Sequence, residues 1–157
     1  MEREHIHNIL IVCTGNSCRS AMAEGYLKKR LKELSEHISV NSAGTAAIYG
    51  AGASPEAVKV MKEAGVDISG HQSKPIVSGM IERADIILVM EPYHRDFIIR
   101  LVPESRSKVF YLRQFSQDPA DDIIPDPIGR GVDFYKQVKD IITDSLEGFI
   151  KWVKNLK

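Results

Sequence analysis

The sequence predicts an α/β protein: one domain over residues 1–157, built as three α/β/α layers, with a four-stranded parallel sheet between flanking helices. Three observations predict it. Short apolar runs of strand length alternate with longer segments in which apolar residues recur near the helical period. The first run, Asn8 to Val12, is apolar on both faces, the pattern of a central strand covered from both sides. Its end at Cys13 passes through a polar loop directly into a helical segment, the start of a right-handed parallel unit.

Taken in order, Asn8 to Val12 is the first strand. Arg19 to about Ser35 is the first helix, with Met22, Tyr26, Leu27, Leu31 and Leu34 at helical spacing and Met22 and Tyr26 read as core. His37 to Ser42 alternates and reads as a second strand, ended by Gly44-Thr45. The stretch AAIYGAGA from Ala46 to Ala53 is a flexible loop that can lie beside the site. Ser54 caps the next helix, Pro55 fits its first turn and Gly65 stops it. Ile81 to Ala84 leads into a third strand, Asp85 to Met90. Glu91-Pro92 stops it, and YHRDFIIRLV is the next helix, with His94 read as a surface residue. Ser107 to Leu112 is a fourth strand whose poor alternation suits a sheet edge. Gln114 to Asp122 is loop, and Asp118, Asp121 and Asp122 are solvated surface rather than metal ligands. A second loop, Ile123 to Gly131, precedes a last helix from about Phe134 to Leu156, with Asp133 near its start and Val138, Ile141, Ile142, Leu146, Phe149, Ile150 and Val153 on its buried face.

Length and composition suit a single domain with a sizeable core: 157 residues, 43% hydrophobic and 27% charged. Twenty-one basic residues match 21 acidic ones, so no global basicity points to a nucleic acid. Two cysteines in one loop are no secreted disulfide framework. The charged start MEREHIHN is no signal peptide, and no apolar run is long enough to cross a membrane. A cytoplasmic protein, a monomer or weak dimer with no membrane partner, is the expectation.

The loop Thr14-Gly15-Asn16-Ser17-Cys18 lies between a strand end and a helix start, where parallel sheets hold ligands. Its backbone N–H groups can cradle an anion, and Arg19 can add a planar bidentate grip. Cys13 then faces the bound group, and the same donors favour its thiolate. An inert buried cysteine is the plain alternative, but Gly15 and Asn16 both tolerate strained turn geometry. A dinucleotide fingerprint, a Walker loop and a redox C-x-x-C are all absent. In the second loop Asp126 stands between two prolines, which restrict the backbone and present the carboxylate.

CTGNSCRS resembles the active-site signature of the low-molecular-weight protein tyrosine phosphatases, C-x-G-N-x-C-R-S, and Asp126-Pro127 is its second landmark. The resemblance runs from Asn8 to about Val153. It implies a phosphatase without metal or other cofactor that acts on a phosphorylated protein or peptide and releases inorganic phosphate. By this resemblance Cys13 is the nucleophile, Arg19 binds phosphate and acts in the transition state, and Asp126 is general acid and then base. Thr14, Gly15, Asn16, Ser17 and Cys18 bind phosphate with Arg19. Ser20 donates to the thiolate, while Ser42 and His71 tie down Asn16. Cys18 is a candidate redox partner that can trap an oxidised Cys13.

Phosphotyrosine is the family's usual substrate and the main expectation. Two departures support an alternative. Many members carry an aromatic residue after Asp-Pro where this chain has Ile128, and the branch resembling protein arginine phosphatases has threonine where this chain has Ser17. Phosphoarginine, whose guanidinium can pair with Asp126, is therefore the alternative substrate. An arsenate reductase-like enzyme and a non-catalytic phosphate-binding module are the readings outside phosphatase chemistry. The first lacks a supply of thiols, since Cys13 and Cys18 are the only two.

Overall fold

The fold is described from a computed structural model, which covers residues 1–119 and 121–157. Four parallel strands run in the order β2-β1-β3-β4: β1 (Asn8–Cys13), β2 (Ser39–Gly44), β3 (Ile86–Val89) and β4 (Val109–Tyr111). The helices are α1 (Arg19–Glu33), α2 (Pro55–Glu63), α3 (Ser78–Arg83), α4 (Pro92–Leu101) and α5 (Val132–Lys154). The predicted single-domain three-layer architecture is the observed one.

Strand periodicity divides the core in two. Ile9, Ile11 and Cys13 of β1, with Ile86 and Leu88 of β3, face α1 and α5. Leu10, Val12, Ile87 and Val89 face the opposite layer, with Ile81 of α3 and Ile98 of α4. This parity sends the Cys13 side chain toward the helix that follows the loop. Met22 and Leu27 of α1 are wholly buried there, each stabilising the fold by about 1.5–3 kcal/mol. Tyr26 is only partly buried, and its hydroxyl donates to Glu147 of α5 at 2.7 Å. Burial and that carboxylate push its phenol up to about 12.

The differences from the predicted elements have local causes. The second strand lies two residues later than read, because it follows β1 to the end, pairing Gly44 with Cys13. The fourth strand shrinks to three residues between the 3-10 turns Pro103–Lys108 and Leu112–Phe115. Residues 78–83 form a short helix that the sequence reading passed over. Ser54 does cap α2, accepting from the Ala57 N–H at 3.4 Å.

The last helix reaches the sheet edge through an aromatic group. Phe115 stacks on Phe149 and on Trp152, both at 5.3 Å between centroids. A Cβ on Gly148 would stand 1.8 Å from the Phe115 carbonyl oxygen. Backbone must move to admit it, so Gly148→Ala is expected to lower unfolding stability by about 3 kcal/mol. Chemical denaturation measures this; a loss below about 0.5 kcal/mol would show that the contact yields freely.

Candidate active site

Cys13 ends β1 almost fully buried, with its Sγ 2.9 Å from the Ser20 Oγ. The direction of that contact follows from its neighbour. The Asn16 side-chain amide donates to the same Ser20 Oγ at 2.7 Å. Ser20 is an acceptor there, so its own hydrogen is free for the Cys13 sulfur.

Asn16 has φ 54°, left-handed for a residue with a side chain. Its surroundings fix that geometry. The Nδ2 also donates to Ser42 Oγ at 2.9 Å, and its Oδ1 accepts from the Lys74 N–H at 3.0 Å. Its carbonyl accepts from Ser73 Oγ and from His71 Nε2, each at 2.7 Å. Ser42 passes its hydrogen to Glu24 at 2.8 Å, and Glu24 lies 4.0 Å from the other ring nitrogen of His71. A buried polar network with every member satisfied holds one conformation. The loop is also bonded from the side: the Thr45, Ala46 and Ser54 N–H groups donate to the carbonyls of Cys13, Thr14 and Ser17. Gly44 permits this approach, since a Cβ there would sit 2.4 Å from the Thr14 oxygen.

Arg19 is 1% exposed, although it opens a helix. Its Nη1 donates to Glu91 at 2.5 Å and to the Ile124 carbonyl at 2.8 Å. Its Nη2 lies 3.7 Å from the Asp126 carboxylate. One guanidinium thus ties the anion loop to the end of β3 and to the loop carrying Asp126. Asp126 is 41% exposed, and its Oδ1 accepts from the Ile128 N–H at 3.1 Å. Together Cys13, Thr14, Gly15, Ser17, Cys18, Arg19, Asp126 and Ile128 line a cavity of about 220 Å³. The Asn16 side chain is turned away from this cavity and holds the loop instead.

Cys13 and Cys18 are both free thiols. The Cys18 sulfur is 3.3 Å from the Tyr135 hydroxyl of α5 and 3.4 Å from Ser54 Oγ. Burial, then the Cys18 contact, pushes the Tyr135 phenol up.

Several further residues contribute to the site. Glu91 follows β3 beside β1, at the carboxyl end of the sheet, and that position was the signal for it. Glu24 lies one helical turn after Ser20. Ser73 and Lys74 act across some 57 residues through loop pairing that no local pattern reveals. His94 is a correction: it is fully buried rather than on the surface, with Nε2 2.9 Å from Thr14 Oγ1. It shares the inner face of α4 with Ile98, four residues on. Burial first, and then the nearby Arg19 charge, push its imidazole down to about 4, against the opposing pull of Glu91 and Asp126.

The chain is similar to known proteins over nearly its whole length. The family described as low molecular weight phosphotyrosine protein phosphatase matches residues 8–157. A protein-arginine-phosphatase of Bacillus subtilis (strain 168) is 34% identical over 147 residues, covering 94% of this chain and 97% of that one. A probable low molecular weight protein-tyrosine-phosphatase, EpsP, of Ralstonia nicotianae is 33% identical over 151 residues, covering 96% and 99%. The solved YwlE arginine phosphatase from Geobacillus stearothermophilus superposes with a TM-score of 0.85 at 34% identity, covering 94% of this chain and 93% of its own. The chain belongs to the low molecular weight phosphotyrosine protein phosphatase family and is a phosphatase with a cysteine-based active site.

Proposed function

We propose that the protein is a protein arginine phosphatase, which reverses the order of the two substrates drawn from the sequence. The observation that carries this reading is the rim of the cavity. It has Ser17 and Ile128 beside Asp126 and no aromatic ring among its lining residues. A phosphotyrosyl ring gains from an aromatic wall, whereas a guanidinium gains from a facing carboxylate. Ile128 is 64% exposed and offers only an aliphatic surface. The protein-arginine-phosphatase relatives support the same reading.

The reaction proceeds in two displacements. The loop N–H groups and Arg19 hold the phosphoryl oxygens and match their charge in the transition state. The Cys13 thiolate attacks phosphorus in line; the S–P bond forms and the P–N bond to the arginine breaks. Asp126 gives its proton to the departing guanidine nitrogen. Its carboxylate then takes a proton from water, which attacks phosphorus. The S–P bond breaks, inorganic phosphate leaves, and the Ser20 hydroxyl stabilises the returning thiolate. Ser42 and His71 serve this chemistry indirectly, by holding Asn16. Cys18 is retained as the thiol that condenses with an oxidised Cys13. No helix among the described residues is long and apolar enough to cross a membrane, and a phosphorylated cytoplasmic protein is the proposed substrate.

Phosphotyrosine is the second reading. Tyr49, 79% exposed, lies three residues after Ala46, whose N–H bonds the Thr14 carbonyl. Matched phosphoarginyl and phosphotyrosyl peptides separate the two. The expected result is a kcat/KM at least about tenfold higher for phosphoarginine, the discrimination one well-placed polar pairing supplies. Ser17→Ile and Ile128→Tyr should each move the ratio toward phosphotyrosine. A tyrosine preference in the unmodified protein would overturn the arginine reading.

A further inference from the structure

The hydrogen bond between Thr14 and His94 is the feature of the site that the two-step reaction above leaves unused. His94 comes from α4, three residues after the Glu91 that holds Arg19, so one helical turn grips the anion loop at two points. Its ring is fully buried. Nε2 meets Thr14 Oγ1 at 2.9 Å, while Nδ1 is buried with no hydrogen-bond partner among the described residues.

That asymmetry sets the tautomer. A neutral imidazole carries one N–H and one lone pair. An N–H buried without an acceptor is rarer in proteins than an under-satisfied acceptor. The hydrogen therefore sits on Nε2, which donates to the Thr14 hydroxyl oxygen. Thr14 is then an acceptor toward His94, and its own O–H hydrogen is not used by that contact. Oγ1 makes no other hydrogen bond among the described residues, and Thr14 lines the cavity with Cys13 and Arg19. The free hydrogen is a donor for an anion held there.

We propose that His94 is a positioning residue of the phosphatase: its Nε2–H fixes the Thr14 hydroxyl so that this hydroxyl donates to the bound phosphoryl group. The phosphoryl cradle then has a side-chain donor beside its backbone N–H groups and Arg19. A neutral ring suits the task, because a charged imidazolium would stand against the Arg19 guanidinium. The inference rests on the phosphatase reading of the loop and not on the preference for arginine.

The test uses p-nitrophenyl phosphate turnover, inhibition by inorganic phosphate and thermal melting. Thr14→Val removes the hydroxyl at constant shape and is expected to lower kcat/KM about tenfold, the effect of losing one hydrogen bond to a charged group. It should weaken phosphate inhibition and lower the melting temperature by several degrees, because the buried His94 N–H loses its acceptor. Thr14→Ser should restore turnover to within about twofold. His94→Leu should match Thr14→Val, and the double variant should be no slower than either alone. His94→Gln, which keeps an N–H donor at the same reach, should stay closer to wild type, and it carries the histidine arm if His94→Leu does not fold. Nitrogen NMR should find Nε2 protonated and Nδ1 bare between about pH 5 and pH 8.

Any of three results overturns the proposal: Thr14→Val within twofold of wild type, losses that multiply in the double variant, or a proton on Nδ1. Flat results in these variants with active wild-type protein defeat this inference alone. A wild-type protein without turnover defeats the phosphatase reading, and the inference with it.

Discussion

Cys13→Ser is expected to reduce turnover of p-nitrophenyl phosphate by about five orders of magnitude, the scale of loss when a covalent nucleophile is removed. The sulfur is nearly buried and stands 2.9 Å from a hydroxyl whose hydrogen is free for it. That hydrogen stabilises a thiolate, but it cannot draw the proton from a serine in the same place. In the proposed mechanism phosphate is held by loop N–H groups, the Thr14 hydroxyl and Arg19, and the substitution touches none of them. Phosphate should therefore bind with an affinity close to that of the unmodified protein, as calorimetry can measure. Turnover within tenfold of wild type would remove Cys13 from the role of nucleophile. The same substitution disposes of the non-catalytic alternative, because a pure binding module has no turnover to lose.

Arg19→Lys is expected to lower kcat/KM about a thousandfold, through both a smaller kcat and a larger KM. Two of the guanidinium's contacts are already committed inside the protein, to Glu91 and to the Ile124 carbonyl. The rest of its fork is what the proposed mechanism assigns to phosphate. A lysine ammonium is a single point with no fork, so it cannot serve Glu91, the Ile124 carbonyl and the anion together. The Ile124 carbonyl, if abandoned, is left unpaired in a buried place, and Glu91 or the anion, if abandoned, loses a charge-assisted hydrogen bond. Steady-state constants near wild type in both terms would show that the positive charge alone suffices. Melting curves separate this from a general loss of structure, and a modest decrease is expected because the Asp126 loop loses its tie to α1.

The sequence made the strand end at Cys13, the loop after it and the first helix legible because they are contiguous. The run Asn8 to Ser20 carries strand, turn and helix signals in order, and nothing distant is needed to interpret them. Ser42 and His71 were accessible only through the family signature, since a lone serine and a lone histidine carry no local pattern. Glu91 and His94 reach the loop across 72 and 80 residues. Their positions depend on how β3 registers beside β1 and on how α4 is rotated over the sheet. YHRD reads as a surface turn of helix because its polar neighbours mask the one inward position. The extent of β2 was misread for a related reason: Gly44 and Thr45 look like a stop signal, yet the strand persists until it has matched Cys13. Local chemistry marked a turn, and the parallel partner decided where it began.

Tyr135 ties the anion loop to the last helix, and the order of synthesis gives that contact a meaning of its own. Chains emerge amino-terminus first. Cys13, Asn16, Arg19, Ser42 and His71 have all left the ribosome while Asp126 and α5 are still being made. Arg19 then lacks the Ile124 carbonyl, and Cys18 lacks the hydroxyl that touches its sulfur. The large apolar face of α5, including Val138, Ile142, Leu146 and Phe149, is also missing from the core. A nascent chain thus holds the residues proposed as nucleophile and phosphate grip, but neither the proposed proton donor nor the layer that supports them.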